Sequence, residues 1–321
     1  MPTIVVATDF SPHAEVAFVR ALELARVRGA ELVVVSADQT VELIPTTPEP
    51  ELAVPTWTQL RADVEVEEQR LLASLLDRAA TAGVPVHGVR ALGDPVELTC
   101  STARERGAEL IVVGSHGRTG IRRFLLGSIA ERIVSHASTS VLVARGDGSA
   151  PFARVLVASD FNLLSARALA QAQHFSAPDA RVTVVHAWHY PAGAWSLAAL
   201  GERTHATEAL ESALIEPPRA RGEALVADEA AAGRAIEFRL LQGPAAEVVT
   251  DLATAEHADL IAVGTHGRHG LRRIVLGSVS GAVVRHAPCS VLVARAPEGH
   301  PAEARPDAPP PADDGSTDIP M

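Results

Sequence analysis

The sequence contains no lysine, because all 28 of its basic residues are arginine. This absence excludes the lysine of a Walker A phosphate loop, a Schiff-base lysine and a lysine general base. Cysteine is almost as scarce: Cys100 and Cys289 are the only two, which excludes a disulfide framework. Aromatic residues make up 3% of the chain, so its cores must be built from alanine, valine, leucine and isoleucine.

Long apolar runs are missing as well. No uninterrupted apolar stretch reaches the ~18 residues of a membrane-spanning helix, and the first residues lack the basic start of a signal peptide. The formal net charge of −11 disfavours a general surface for nucleic acid or for anionic membranes. These absences predict a cytoplasmic protein with neither nucleic acid nor membrane as a partner.

What the 321-residue chain does contain is an internal duplication. Residues 110–145 and 260–295 are identical at 22 of 36 positions, and the surroundings of Asp9 match those of Asp160. Each copy is too long for a solenoid repeat, so the duplication predicts two globular domains joined by a short, flexible linker. The expected segments are a first domain over 1–146, a second over 152–296, and a disordered tail rich in proline and acidic residues over 297–321.

Short runs of valine, isoleucine and leucine alternate with amphipathic stretches in each copy. The runs are apolar at nearly every position, which is typical of strands buried on both faces of a sheet. This order predicts an α/β fold: two tandem, open, five-stranded parallel sheets of Rossmann-like type with helices on both faces. The Pro-rich segment 45–55 is predicted as a surface loop before the second helix, and Pro217 and Pro218 are expected to delay the matching helix of the second copy.

A glycine-rich loop follows the fourth predicted strand of each copy, with the spacing G-x2-G-x9-G-S. Glycine lets the backbone approach a ligand closely, and free N–H groups at the start of the next helix favour an anion. Arginines crowd the same loop, which indicates a polyphosphate. In the purely structural alternative, the first glycine ends a strand and the last one caps a helix. The residues concerned are Gly114, Gly117, Arg118, Gly127 and Ser128 in the first copy, and Gly264, Gly267, Arg268, Gly277 and Ser278 in the second.

A carboxylate follows the first strand of each copy, at Asp9 and Asp160. Ligands of open parallel sheets bind beyond the carboxyl ends of the strands, at the point where the strand order reverses. If the first and fourth strands are adjacent, each aspartate and each glycine loop flank one cleft, where a carboxylate suits a ribose hydroxyl or a base amine. The alternative role of these aspartates is to cap the first helix.

Together these motifs resemble the universal stress protein family in its tandem, ATP-binding form, and the resemblance covers nearly all of residues 3–295. It rests on the glycine motif, on "TDFS" near the start and on "HAPCSVLV" near the end. The resemblance implies ATP with Mg²⁺ in each cleft. The implied contacts are the ribose side at Asp9 and Asp160, the adenine at the backbone of Ala37 and Ala187, the ribose at Gly114 and Gly264, and the phosphates at the remaining loop residues.

Two more expectations come from the same resemblance. The last strands, 140–145 and 290–295, both read SVLVAR and are expected at a sheet edge. An apolar edge strand exposes unpaired N–H and C=O groups, which another strand or element must cover. Family members pair their domains through this strand, so we expect a pseudo-twofold pair, within one chain or between two chains of a homodimer. Family members usually carry a histidine before the adenine-contact position; the second copy has His186 there, whereas the first has Ser36.

The resulting hypothesis is a stress-response protein that senses or stores a nucleotide-bound state, without catalytic residues and with at most slow ATP hydrolysis. Two alternatives stay open: a nucleotidyl- or phosphoryl-transferase or ATPase on the same scaffold, and a structural interaction protein with vestigial pockets. His116 and His266 are interpreted as groups that hydrogen-bond within the loops. No HxxxH or CxxC pair indicates a metal site.

Overall fold

The computed structural model describes residues 1–38, 50–117, 126–190, 205–265 and 276–295. The first half contains β1 (Thr3–Ala7), α1 (Pro12–Arg28), β2 (Glu31–Asp38), α2 (Pro50–Thr81), β3 (Val86–Leu92), α3 (Pro95–Glu105), β4 (Leu110–Gly114), α4 (Ser128–His136) and β5 (Ser140–Ala144). The second half contains β6 (Arg154–Ala158), α5 (Leu163–Phe175), β7 (Arg181–Trp188), α6 (His205–Ala231), β8 (Ile236–Gln242), α7 (Ala245–Ala255), β9 (Leu260–Gly264), α8 (Ser278–His286) and β10 (Ser290–Ala294).

The strands form one sheet in the order β3-β2-β1-β4-β5-β10-β9-β6-β7-β8. Neighbours within each half are parallel, which confirms the prediction of two five-stranded parallel sheets. The halves join where β5 and β10 pair antiparallel, with Leu142 opposite Leu292. In each half the strand order reverses beside the first strand, between β1 and β4 and between β6 and β9. The first and fourth strands are therefore adjacent, which was the condition for the aspartate and the glycine loop to flank one cleft.

Apolar side chains fill both faces of this sheet. Alternate residues point to opposite faces, so Val6 packs under α1 and α2 while Val5 packs under α3 and α4. The second half repeats the arrangement with α5 and α6 on one face and α7 and α8 on the other. Strands covered on both faces must be apolar throughout, which accounts for their uninterrupted valine and isoleucine runs.

The second helix of each half departs from expectation. Helix α2 begins at Pro50, inside the segment predicted as a loop, because proline is tolerated in a first helical turn. Helix α6 continues through Pro217 and Pro218, so the prediction that they delay it was wrong. Pro218 is buried, and residues one helical turn before and after it are buried or half-buried. Packing of this helix face stabilises the helix by more than the two prolines destabilise it.

The contact between this helix and its edge strand is built in opposite ways in the two halves. In the first half Leu72 of α2 packs beside Gly88 of β3, where a Cβ would lie 3.4 Å from Leu72 Cδ2. In the second half the glycine is on the helix, at Gly222, and the large residue is Phe238 of β8. The swap conserves volume at the contact, so both helices reach the sheet.

Two arginines hold the halves together at the β5–β10 junction. Arg145 Nη2 donates to the Val284 carbonyl at 2.6 Å, at the end of α8 in the other half. Reciprocally, Arg295 Nη2 donates to the Val134 carbonyl and, at 3.0 Å, to that of Ser135, at the end of α4. Burial lowers the pKa of both guanidiniums, and the partial negative charge of a helix C-terminus favours a cation there.

The linker between the halves was predicted to be flexible, but it packs on α1. Arg20 Nη1 donates to the Ala150 carbonyl at 2.5 Å, and its guanidinium stacks 4.0 Å from the centre of the Phe152 ring. Gly148, with φ +76°, lies so close to α1 that a Cβ would be 2.6 Å from the Val16 carbonyl oxygen. The predicted tail 297–321 lies outside the described residues.

Candidate functional site

The glycine at the end of each fourth strand brings the strand against the first turn of a helix. A Cβ on Gly114 would lie 2.6 Å from the His13 carbonyl oxygen, and one on Gly264 would lie 2.9 Å from Leu164 Cβ. Glycine is therefore required here for close helix–strand packing, whatever its relation to a ligand. This contact places the start of α1 or α5 directly beside the end of β4 or β9.

The glycine loop and the first aspartate meet, as the sequence predicts. A Cβ on Gly117 would lie 2.9 Å from Asp9 Oδ2, so only glycine lets the carboxylate come this close. The Gly127 N–H donates to the Ser115 carbonyl at 2.8 Å, which closes the loop at its base. The second half repeats this closure between Gly277 and the Thr265 carbonyl, also at 2.8 Å.

The turn that carries each aspartate has an unusual backbone. Phe10 and Phe161, which directly follow the aspartates, have φ of 61° and 62°, a region that non-glycine residues rarely occupy. Asp9 Oδ1 accepts from the Ser11 N–H at 3.1 Å, and Asp160 Oδ1 accepts from the Asn162 N–H at 3.2 Å. Such strain clusters at functional sites. Sequence reasoning missed both phenylalanines, although the repeated Asp-Phe pair was a signal.

The alternative role of the aspartates as helix caps is not what the structure shows. The N-cap of α1 is Ser11, whose side chain accepts from the Ala14 N–H at 3.2 Å. The N-cap of α5 is Asn162, whose Oδ1 accepts from the Ser165 N–H at 2.8 Å. Each aspartate therefore stands one turn before the helix, at the cleft.

The second strand of each half ends with backbone groups turned toward the cleft. The Val35 carbonyl accepts from Thr8 N–H, and peptide groups alternate between the two sides of a strand. The peptide groups of Ala37 therefore also point to the side where β1 lies. They lie beyond Ala7, the last residue of β1. Ala187 stands in the same relation to β6, because the Val185 carbonyl accepts from the Ser159 N–H.

A helix begins on the far side of each cleft. The N-caps of α4 and α8 are Gly127 and Gly277, and neither has a side-chain cap, so Ser128 and Ser278 open helices whose first N–H groups receive no side-chain cap bond. Arg118, Gly267, Arg268 and His266 lie outside the described residues. His116 does bond within its loop, with Nδ1 3.1 Å from Ser115 Oγ, and its ring lies 4.9 Å from that of His13.

These positions come together at one edge of each half, and their part in ligand binding stays a prediction. Within the described ranges, no three histidine, cysteine, aspartate or glutamate residues cluster as metal ligands would. No helix of those same ranges is both long and apolar enough to cross a bilayer. In each half, the carboxyl ends of the parallel strands thus carry an aspartate, a glycine and the start of a helix close to one another.

Comparison with known proteins identifies the family and the fold. The model of the Universal stress protein family matches residues 1–145 and again 151–295. The chain belongs to the universal stress protein family. The tandem arrangement is shared with the universal stress protein Rv2005c of Mycobacterium tuberculosis, which is 31% identical over 303 residues, or 91% of this chain and 96% of that protein.

Other universal stress proteins match one half or the fold alone. YxiE of Bacillus subtilis is 28% identical over 144 residues, covering 44% of this chain and 97% of its own length. A solved universal stress protein from Archaeoglobus fulgidus has a TM-score of 0.65 at 19% identity, covering 91% of this chain and 98% of its own. That likeness shows the same architecture across both halves.

Proposed function

We propose that this universal stress protein binds ATP in both clefts and responds to stress in the cytoplasm through its nucleotide-bound state, with little or no turnover. The observation that carries the proposal is the convergence, in each half, of an aspartate, an open strand end and a helix N-terminus where the strand order reverses. Such a crevice is where open α/β sheets hold nucleotides. Family membership supports the same function.

Each part of the nucleotide has a counterpart of suitable chemistry. The outward peptide groups of Ala37 and Ala187 offer a donor and an acceptor to the edge of adenine. The carboxylates of Asp9 and Asp160 suit ribose hydroxyls. The N–H groups at the starts of α4 and α8, with the hydroxyls of Ser128 and Ser278, suit phosphate oxygens.

Three loop residues outside the described ranges belong to the same proposal: Gly267 beside the phosphates, and Arg118 and Arg268 as their cationic partners. Mg²⁺ would accompany ATP through phosphate oxygens and water.

The binding test alters the glycine at the start of α4 and of α8. A Cβ on Gly127 would lie 3.3 Å from His116 Cα and 3.5 Å from Gly117 N, so a valine there disturbs the backbone proposed to meet the phosphates. Gly127→Val combined with Gly277→Val places side chains at the two helix starts, and we expect ATP affinity measured by calorimetry to fall at least about tenfold. Ser128→Ala with Ser278→Ala is the milder control, because it keeps the backbone donors and loses only the hydroxyls. Unchanged ATP affinity in the double valine variant, with wild-type thermal stability, would refute the site.

The turnover test separates a sensor from an enzyme. Typical enzymes turn over at about 10 s⁻¹, and we expect ATP hydrolysis far below that rate. Sustained turnover in that range, abolished by replacing His116 and His266 with alanine, would show that the clefts are catalytic.

A further inference from the structure

The two clefts are built from different residues at the turn that carries the aspartate. In the second half the ring of the left-handed residue Phe161 lies 5.1 Å from the ring of His186 and 5.9 Å from that of Phe238. The residues at the corresponding positions of the first half are Ser36 and Gly88. Phe10 has the same strained φ but neither of these two ring partners.

His186 also fixes the backbone of this turn. Its Nδ1 lies 2.7 Å from the carbonyl oxygen of Ser159, the residue directly before Asp160. Asn162 adds a second restraint, because its Nδ2 donates to Asp160 Oδ2 at 3.0 Å while its Oδ1 caps α5. A serine, as at position 11, has no amide that serves both ends in this way. The chain is therefore held on both sides of Asp160, at Ser159 by His186 and at Asn162, which also bonds the Asp160 carboxylate.

The outer wall of each cleft differs in charge. Arg90 of the first half lies within ion-pair distance of three carboxylates, those of Asp38 at 3.2 Å, Glu68 at 3.3 Å and Glu65 at 3.5 Å. Asp38 directly follows Ala37, so this network, with a formal charge of −2, adjoins the strand end proposed to meet adenine. The corresponding residues of the second half are all uncharged: Trp188, Leu240, Pro218 and Ile215.

From these differences we infer that the two clefts are unequal, and that the second half binds its nucleotide first and more tightly. His186 acts there as a positioning residue: it holds the strained turn so that Asp160 is oriented before the ligand arrives. This inference rests on the proposed nucleotide binding. Preorganisation lowers the ordering cost of binding, and the negative wall of the first half repels an anionic ligand, which acts in the same direction.

The size of the difference follows from the contacts involved. One intramolecular hydrogen bond of ordinary net strength is equivalent to roughly a two- to tenfold change in an equilibrium constant, and the wall charges act in the same direction. We therefore expect dissociation constants of the two clefts to differ by about tenfold or more. Because salt screens the wall charges, the ratio should shrink as ionic strength rises but should not vanish.

The experiment is calorimetric titration of the full chain with ATP and Mg²⁺, alongside Asp9→Ala and Asp160→Ala. The wild type should show two binding events, of which Asp160→Ala removes the tighter and Asp9→Ala the weaker. No binding to any of the three proteins would defeat the proposed function itself. Two equal events, or loss of the tighter event in Asp9→Ala, would overturn the inequality and leave the proposed function standing.

The role of His186 needs its own variants. His186→Ser gives the second half the residue of the first and should weaken the tighter event about tenfold, without changing the weaker one. His186→Asn keeps a donor near the Nδ1 position and should recover part of the loss. Ser36→Ala is the matched control in the other half and should leave the tighter event unchanged. A lower melting temperature in His186→Ser with an unchanged tighter event would reduce His186 to a structural residue and overturn the positioning role.

Discussion

Gly222 of α6 is the position where one added methyl group should lower the stability of the fold most. Three ring carbons of Phe238 would lie 2.2 to 2.4 Å from a Cβ there, whereas carbon atoms in contact normally lie about 3.5–4.0 Å apart. Phe238 is partly buried and its ring lies 5.9 Å from that of Phe161, so moving the ring would disturb that contact. Gly222→Ala must therefore displace the Phe238 ring or push α6 away from the sheet.

Two opposing effects decide whether Gly222→Ala raises or lowers the free energy of unfolding. In a helix interior alanine is more favourable than glycine by roughly 0.5–1 kcal/mol, while overpacking a well-filled contact typically costs about 1–3 kcal/mol. The overlap exceeds 1 Å by the distances above, so we place the cost at the upper end of that range. We expect Gly222→Ala to lower the free energy of unfolding by about 2 kcal/mol.

A double-mutant cycle identifies the cause. Phe238→Ala removes the obstructing ring at its own cost in packing, and with the ring gone alanine at position 222 should stabilise the helix by roughly 0.5–1 kcal/mol. Urea unfolding of Gly222→Ala, Phe238→Ala and the double variant should therefore show a coupling of about 3 kcal/mol, the full overpacking cost. Glu223→Ala, at the exposed neighbouring position, should change stability by less than about 0.5 kcal/mol. Additive effects, or a Gly222→Ala protein as stable as wild type, would show that the helix does not lie on Phe238.

Three further outcomes concern the junction of the halves and its thiol. Arg295→Met deprives the Val134 and Ser135 carbonyls of their donor and should lower stability to urea by about 1–3 kcal/mol; equal unfolding midpoints would contradict the clamp. Val141→Pro should weaken the pairing of β5 with β10, because the Arg145 N–H points toward β10 and, by alternation, so does that of Val141; unchanged stability would contradict that pairing. Burial raises the pKa of the Cys289 thiol to about 12, against about 8.5 in an unfolded chain, so stability should fall as pH rises from about 8.5 toward 12. Cys289→Ala should flatten this loss between pH 8 and 10, and an identical pH profile would show that the thiol does not contribute.

Much of the fold could be predicted because strands buried on two faces leave an unmistakable pattern. The runs around Val5 and Ile111 are apolar throughout, and the duplication repeats them, so the parallel sheets could be predicted. That the strands of Val5 and Ile111 are neighbours was only a condition of the sequence argument, and the structure meets it. The course of α6 through Pro217 and Pro218 could not be predicted from local propensity. It depends on packing against β8, and the exchange of Leu72 and Gly88 for Gly222 and Phe238 becomes visible only when helix and strand are in contact.

The candidate site could likewise be predicted only in part. Asp9 and Gly117 were expected to flank one cleft, and the structure brings them together because parallel strands end on the same side. Gly114 was expected near a ligand, but glycine is needed there because a Cβ would clash with the His13 carbonyl. No sequence pattern reveals that contact. The positive φ of Phe10 was equally hidden, since phenylalanine gives no local reason to adopt it.

The antiparallel union of β5 and β10 determines how the two clefts are presented to the outside. All strands of the first half run in one direction and all strands of the second half run in the other, so their carboxyl ends, and with them the clefts, lie on opposite sides of the sheet. Leu142 and Leu292 face each other on the same sheet face, which makes the pseudo-twofold axis perpendicular to the sheet. A macromolecule that approaches from one side can therefore reach only one of the two clefts. The protein offers two separate surfaces that face in opposite directions.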